Sequence, residues 1–124
     1  MKILIVDDDE IVLKSCSKIL KSEGFEVVEA QSADAALDVI MEQKLSAILV
    51  DIKMPGQDGL SLIKEIRLIL PDIPIVVMSG YVTRDTIKQV EKVTTGFFIP
   101  KPFTPEELIV TLEYVLKLNE VSND

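Results

Sequence analysis

The sequence predicts a single α/β domain: a doubly wound parallel sheet of five strands with helices on both of its faces. Four short apolar runs are bounded by turn residues, which is typical of strands buried on both faces. These runs are Lys2–Val6, Ala47–Val50, Ile73–Met78 and Phe97–Ile99. Helical patterns separate the runs, and strands that alternate with helices favour right-handed crossovers in a parallel sheet. The 124 residues have the length of one domain.

The remaining elements of the first half follow in order. The first helix is predicted to begin near Asp9 and to stop at Gly24, because glycine commonly ends a helix. A second strand covers Phe25–Ala30, and its alternation of polar and apolar residues indicates the edge of the sheet. A second helix follows Ser32.

In the second half, the segment Met54–Gly59 has the composition of a loop. The third helix follows this loop and ends at Pro71. The fourth helix is predicted near Thr83–Lys92, with a thin apolar face. The fifth begins with a capping box at Thr104–Glu107. From Asn119 the chain is predicted to fray or to become a linker.

Composition excludes several classes of function. Lys plus Arg number 13 and Asp plus Glu number 21, a net charge of −8, which argues against a nucleic-acid surface. There is no histidine, so Ser-His and Cys-His nucleophile chemistry is excluded. The single cysteine, Cys16, allows no intramolecular disulfide, which fits a reducing compartment. No stretch is apolar enough for a membrane span.

Four strand ends carry polar residues that could form one site. Asp7 and Asp8 follow the first strand, Asp51 the third, Ser79 the fourth and Lys101 the fifth. Ligands bind open α/β sheets outside the carboxyl ends of the strands, so these residues indicate a phosphate-handling site. Crowded carboxylates repel unless a cation compensates, and Mg²⁺ prefers oxygen ligands.

Each of these residues also has a purely structural interpretation. The acidic triplet Asp7-Asp8-Asp9 could cap the first helix, Ser79 could be a turn residue, and Lys101 could be a solvated surface lysine. The agreement of four strand ends favours the functional interpretation. We further expect the Lys101–Pro102 peptide bond to be cis and the ammonium to point at Asp51, because cis proline aims side chains in tight turns.

The chain resembles the receiver domain of bacterial two-component response regulators over roughly residues 2–118. The resemblance depends on four segments whose order and spacing are together specific. These segments are Ile3–Asp9, Val50–Gly59, Val77–Gly80 and Lys101–Phe103. It implies a CheY-like, flavodoxin-like (βα)5 fold with strand order 2-1-3-4-5, with residues 1–120 as the receiver domain and residues 121–124 as a tail or the start of a linker.

The resemblance implies a role for each strand-end residue. Asp51 would accept a phosphoryl group from a partner's phosphohistidine. Asp8 would bind Mg²⁺ directly, Asp7 largely through water, and the backbone carbonyl of Lys53 would be a further ligand. Ser79 would bind the phosphoryl group and Lys101 would pair with it.

Two further positions complete the implied site. Gly80 follows Ser79 and lets a ligand or backbone come close. Phe98 falls at the family's switch aromatic, and it lacks the hydroxyl of the frequent tyrosine.

The resemblance also implies partners and a location. The domain would not be an enzyme with a separate substrate, but would support its own phosphotransfer and autodephosphorylation. Its partners would be a sensor histidine kinase or phosphotransfer protein, and an output partner or effector domain reached through the fourth helix, fifth strand and fifth helix. A homodimer could use the same face. The location would be cytoplasmic, with no direct contact to nucleic acid or membrane.

Two alternatives remain open from the sequence. A haloacid-dehalogenase-type phosphatase also has a strand ending in Asp-x-Asp, although Ile11 stands where that family prefers threonine or valine and no acidic pair follows Lys101. A pseudo-receiver would keep the fold and signal without phosphate. A dinucleotide site fails, because the acidic triplet occupies the turn where glycines must admit pyrophosphate.

Overall fold

Five strands form one parallel sheet, and the order of the strands confirms the predicted doubly wound topology. The strands are β1 (Lys2–Val6), β2 (Glu26–Ala30), β3 (Ala47–Asp51), β4 (Ile75–Ser79) and β5 (Phe97–Pro100), in the spatial order β2-β1-β3-β4-β5. The structure is a computed structural model that describes residues 1–54, 57–80, 83–93 and 97–122, without the side chains of residues 53–54, 57–58, 93 and 119–122.

Five helices connect and follow the strands. They are α1 (Glu10–Ser22), α2 (Ala33–Glu42), α3 (Gly59–Ile69), α4 (Arg84–Val93) and α5 (Pro105–Ser122). The predicted helix starts are confirmed, since Asp9 caps α1 and Ser32 caps α2. Gly24 has a φ of +89°, so the chain turns at the predicted end of α1.

The predicted fraying from Asn119 was wrong for the backbone of residues 119–122. Helix α5 continues to Ser122. No glycine or proline interrupts residues 106–122, so nothing in the sequence stops the helix once the capping box has started it.

The predicted loop after β3 contains a short hairpin. Lys53–Met54 pairs antiparallel with Gln57–Asp58. Pro55 and Gly56, which join the two short strands, lie outside the described residues. A connection of two residues is the length that tight hairpins use, which explains why a segment with loop composition still forms a ladder.

Alternate residues of the strands face two separate apolar cores. One core lies between the sheet and α2, α3 and α4, and includes Leu4, Val6, Val50 and Val77. The other lies between the sheet and α1 and α5, and includes Ile5, Leu49, Met78 and Leu112. Strands buried on both faces explain the continuous apolar runs in the sequence.

The two edge strands are β2 and β5. In β2, Glu26 is exposed and Glu29 is half-buried, which agrees with the predicted edge. In β5, Pro100 pairs with Ser79, and the next residue, Lys101, donates its N–H to the Ser79 carbonyl at 2.8 Å. Because alternate residues direct their N–H groups toward the neighbouring strand, Pro100 occupies a position whose N–H would point away from the sheet. Within the described ranges, no helix is long and apolar enough to cross a membrane.

Candidate functional site

Three carboxylates meet at the carboxyl edge of the sheet. Asp7 and Asp8 follow β1, and Asp51 is the last residue of β3, the neighbour of β1. One carboxylate oxygen from each residue lies within 4.8 Å of the others. Asp7 and Asp51 are buried and Asp8 is exposed. The topology therefore brings together the three acids that the sequence singled out.

Lys101 joins two of these acids. Its Nζ lies 2.6 Å from Asp7 Oδ2 and 2.9 Å from Asp51 Oδ2. Burial of the ammonium acts to lower the pKa of Lys101, but hydrogen bonds and charge from Asp7 and Asp51 outweigh it, so the pKa is raised. The interpretation of Lys101 as a solvated surface lysine is wrong, since the side chain is only 21% exposed and spans the acidic cluster.

Within the acidic triplet, Asp9 caps α1, while Asp7 and Asp8 belong to the cluster of carboxylates. Asp9 Oδ1 accepts a hydrogen bond from the Ile11 N–H at 2.9 Å and caps α1. The N–H of Asp9 donates to Asp7 Oδ1, also at 2.9 Å. Asp7 is therefore held from two sides, by the Asp9 amide on one oxygen and by the Lys101 ammonium on the other.

The Lys101–Pro102 peptide bond is cis, as the sequence predicted. Helix α5 begins just beyond it with the predicted capping box. The Glu107 N–H donates to Thr104 Oγ1 at 3.1 Å, and the Thr104 N–H donates to Glu107 Oε1 at 3.2 Å. The strong start of α5 thus follows directly after the lysine that enters the site.

The other predicted site residues lie around this edge. Ser79 is fully buried at the end of β4, and in the ladder Asp51 pairs with Met78, the residue before it. Gly80 is exposed, and a Cβ added there would meet nothing within 4 Å. Phe98 on β5 is half-buried and packs against the core on the α2, α3 and α4 side.

Lys53 begins the short hairpin two residues after Asp51. Its backbone is therefore close along the chain to the carboxylate, while its side chain lies outside the described part. Sequence reasoning missed one contact in this region. A Cβ on Gly59 would lie 2.4 Å from the Ile52 Cα, between Asp51 and Lys53. The only sequence signal was a glycine at the end of the loop motif.

The donor set of this cluster suits a hard divalent cation. Three carboxylates and one ammonium leave a formal charge of −2 at one edge of the sheet. All the side-chain acceptors are oxygens, which Mg²⁺ prefers. Asp8 is the most accessible of the three, while the oxygens of Asp7 already accept hydrogen bonds from Asp9 and Lys101.

Comparison with known proteins identifies the family. Residues 3–113 match the family model of the response regulator receiver domain. The chain belongs to this family, whose members are phosphoacceptor signalling domains. The haloacid dehalogenase alternative is not supported, and the second aspartate of its Asp-x-Asp motif, Asp9, serves as a helix cap.

Solved structures and curated relatives agree with this assignment. A CheY-like receiver domain protein from Methanospirillum hungatei has a TM-score of 0.93 and 30% identity, with 98% of this chain and 97% of that chain covered. The chemotaxis protein CheY4 of Vibrio cholerae has a TM-score of 0.88 and 28% identity, with 92% and 97% covered. Response regulator MprA of Mycobacterium avium is 33% identical over 100% of this chain and 54% of its own length.

The curated relatives are longer than this chain. The chain spans about half the length of MprA and 26% of the NtrX-like putative response regulator of Rickettsia bellii, to which it is 31% identical.

Proposed function

We propose that Asp51 is the phosphoryl acceptor of this receiver domain. The observation that supports this most directly is the contact between Asp51 Oδ2 and Lys101 Nζ at 2.9 Å, at a carboxylate only 6% exposed. A carboxylate held beside a fixed positive charge can receive a phosphoryl group, because the ammonium offsets the charge that the phosphoryl oxygens bring.

The transfer forms one bond and breaks one bond. A carboxylate oxygen of Asp51 attacks the phosphorus, and the bond between phosphorus and the donor's imidazole nitrogen breaks. The nitrogen keeps the electron pair of that bond, and Asp51 becomes a mixed anhydride. Lys101 stays near the acceptor, and Ser79, buried at the neighbouring strand end, donates its hydroxyl to a phosphoryl oxygen.

We propose that Asp8, Asp51 and the Lys53 backbone carbonyl hold Mg²⁺, with Asp7 acting largely through water. The engagement of both Asp7 oxygens by Asp9 and Lys101 supports an indirect role for Asp7. When bound, the cation neutralises charge on the phosphoryl group. The same site supports autodephosphorylation, in which water attacks the phosphorus, the bond from phosphorus to the Asp51 oxygen breaks, and inorganic phosphate leaves.

The phosphoryl transfer is tested with acetyl phosphate and Mg²⁺. Intact-protein mass spectrometry is expected to detect one phosphoryl adduct on the wild type and none on Asp51→Asn. Asp38→Asn is a matched control, since Asp38 lies on α2 and is not one of the three clustered carboxylates. An adduct of equal yield on Asp51→Asn would overturn the assignment. A wild type that never forms an adduct would favour the pseudo-receiver alternative.

The donor is proposed to be a phosphohistidine in a sensor histidine kinase or phosphotransfer protein. These 124 residues contain no histidine, so an imidazole donor lies outside them. An apolar groove of about 360 Å³ borders Lys101, lined by α1 and by the segment before α5. This groove supports the proposal because it gives a donor protein a surface next to the acceptor. A cytoplasmic location is part of the same proposal.

The output surface is proposed to be the face formed by α4, β5 and α5, where a partner, an effector domain or a second copy would bind. Three exposed apolar side chains on α5 support this: Val110 and Tyr114 are each 58% exposed and Leu118 is 39% exposed. They repeat every four residues, so they lie on one stripe of the helix. Tyr114 contacts Phe97 of β5 edge to face, with ring centroids 6.0 Å apart.

Phosphorylation would draw the Ser79 hydroxyl toward the phosphoryl group and allow Phe98 to move inward. A phenylalanine has no hydroxyl to satisfy, so its burial leaves no polar group unpaired. Amide NMR with and without beryllofluoride tests this switch. Shifts are expected in α4 and around Phe98 as well as at Asp51. Shifts confined to the surroundings of Asp51 would contradict the switch.

A further inference from the structure

We infer that Gly59 is a positioning residue for the metal site, because its missing side chain lets α3 pack directly on the backbone that carries Asp51 and Lys53. The inference rests on the proposed Mg²⁺ site. A Cβ at Gly59 would lie 2.4 Å from the Cα of Ile52 and 2.9 Å from both its carbonyl carbon and oxygen. All three are backbone atoms, so no side-chain rotation can relieve the contact.

The segment around Ile52 is held from two sides. On one side its N–H donates to the Met78 carbonyl of β4 at 3.3 Å. On the other side it touches Gly59, which is buried at the first turn of α3. Ile52, which joins Asp51 to Lys53, is thus confined between β4 and the start of α3. The position of the Lys53 carbonyl follows from this confinement.

A methyl group at position 59 would move this segment more easily than it would move α3. Helix α3 is anchored by Leu62, Ile63 and Ile66, which are at most 2% exposed. Ile52 is only half-buried, and the hairpin after it has two residues per strand. The contact would have to open from 2.4 Å to at least 3.4 Å, where ordinary van der Waals contact begins. In Gly59→Ala, the backbone of Ile52 and Lys53 would therefore move more than α3.

Mg²⁺ is sensitive to such a displacement, because it requires near-ideal octahedral geometry and short ligand distances. Ca²⁺ accepts longer and less regular coordination. Gly59→Ala is therefore expected to weaken Mg²⁺ binding on the order of tenfold, as changes just outside a metal's ligands commonly do. The loss of Ca²⁺ affinity should be smaller. A role of Gly59 in stability alone would leave the ratio of the two affinities unchanged.

The experiment titrates MgCl2 and CaCl2 into the wild type, Gly59→Ala and Gly24→Ala and measures both dissociation constants by calorimetry. Gly24→Ala is the matched control: its φ of +89° strains alanine, while a Cβ there meets nothing within 4 Å. It lies at the carboxyl end of α1, the end of that helix far from the acidic cluster. It should lose stability and keep the wild-type affinity for both metals.

The outcomes separate this inference from the proposed function. If the wild type binds no Mg²⁺, the proposed metal site fails. If the wild type binds Mg²⁺ and Gly59→Ala keeps the wild-type ratio of the two dissociation constants, the positioning role is overturned. Circular dichroism checks folding. Should Gly59→Ala be partly unfolded, all three proteins are titrated in trimethylamine N-oxide, which strengthens folding. A wild-type ratio of affinities under that condition would also overturn the inference.

Discussion

Lys101 holds a positive charge between two buried carboxylates. Asp7 is 0% exposed and Asp51 is 6% exposed, and both accept hydrogen bonds from its ammonium. A buried charge left without its partner costs more than an exposed one, because water cannot solvate it. The lysine therefore stabilises the fold in addition to any role in phosphoryl transfer.

Lys101→Met is expected to lower the free energy of unfolding at pH 7 without metal by about 3 kcal/mol, the lower end of the range for a broken buried pair, because Lys101 is partly exposed. The raised pKa of Lys101 determines the pH range in which this stabilisation is present. The stabilisation is fully present below the ordinary value of 10.5 and is lost as pH rises through the folded-state pKa. Urea unfolding of both proteins at pH 7 and at successively higher pH measures the difference.

Lys14→Met serves as the control for this substitution. Lys14 also pairs with a carboxylate, Glu29 at 2.8 Å, but its side chain is 65% exposed, so water screens the pair and the loss should be much smaller. Equal losses for the two variants would contradict the argument from burial.

For the acidic triplet Asp7-Asp8-Asp9, residue type alone predicts the possible roles but does not assign them to individual residues. The sequence allowed both a helix cap and a metal site, and the structure uses Asp9 for the first while Asp7 and Asp8 join the cluster of carboxylates. Three identical side chains cannot be assigned separately from composition. Which one turns toward α1 depends on where the helix starts and on the Lys101 contact, which comes from the far end of the chain.

Helix α4 is anchored by less apolar burial than α3. Among its described side chains, Val90 is the buried one, at 1% exposure, and Ile87 is 36% exposed. Helix α3 has a similar length but buries Leu62, Ile63 and Ile66. Little apolar burial means a small free energy of local opening.

Amides of α4 are therefore expected to exchange with deuterium faster than those of α3 in the unphosphorylated protein. Hydrogen exchange followed by NMR compares residues 84–93 with residues 59–69 in the same sample, so α3 is an internal control. Equal protection of the two helices would indicate that α4 is held by contacts other than apolar burial.

The elements that sequence reasoning misjudged depend on pairing or length rather than on residue type. The hairpin after β3 has loop composition, and four of its residues form a ladder through antiparallel pairing. The last turn of α5 lacks a stop signal, so the helix continues past Asn119. Local composition predicted neither feature, because each depends on what the neighbouring backbone does.

At the scale of the whole molecule, the fold was predictable because its sheet is buried on both faces. The apolar runs are continuous for that reason. Parallel strands then bring Asp7, Asp51 and Lys101 to one edge by topology alone. Close contacts such as Gly59 against Ile52 were not predictable, since they depend on how α3 docks.

Mg²⁺ is expected to stabilise the whole domain, because it relieves repulsion among carboxylates that the folded state brings together. A ligand present at a hundredfold excess over its dissociation constant adds about 2.7 kcal/mol to the stability of the native state. The melting temperature should therefore rise with Mg²⁺ in the wild type and hardly move in Asp8→Ala. Without metal, Asp8→Ala is expected to melt at or above the wild-type temperature, because one repulsive charge is gone. An equal response to Mg²⁺ in both proteins would contradict the site.

The two edges of the sheet have a consequence for behaviour at high concentration. An exposed strand edge is a template on which another chain can add a strand, and this is a common route to aggregation. Here Pro100 removes an outward N–H from the β5 edge, while the exposed Glu26 places a negative charge on the β2 edge in a chain of net charge −8. Two copies approaching strand to strand would thus meet a missing donor on one edge and like charges on the other. Self-association through the helices stays open, while growth of the sheet from chain to chain is hindered.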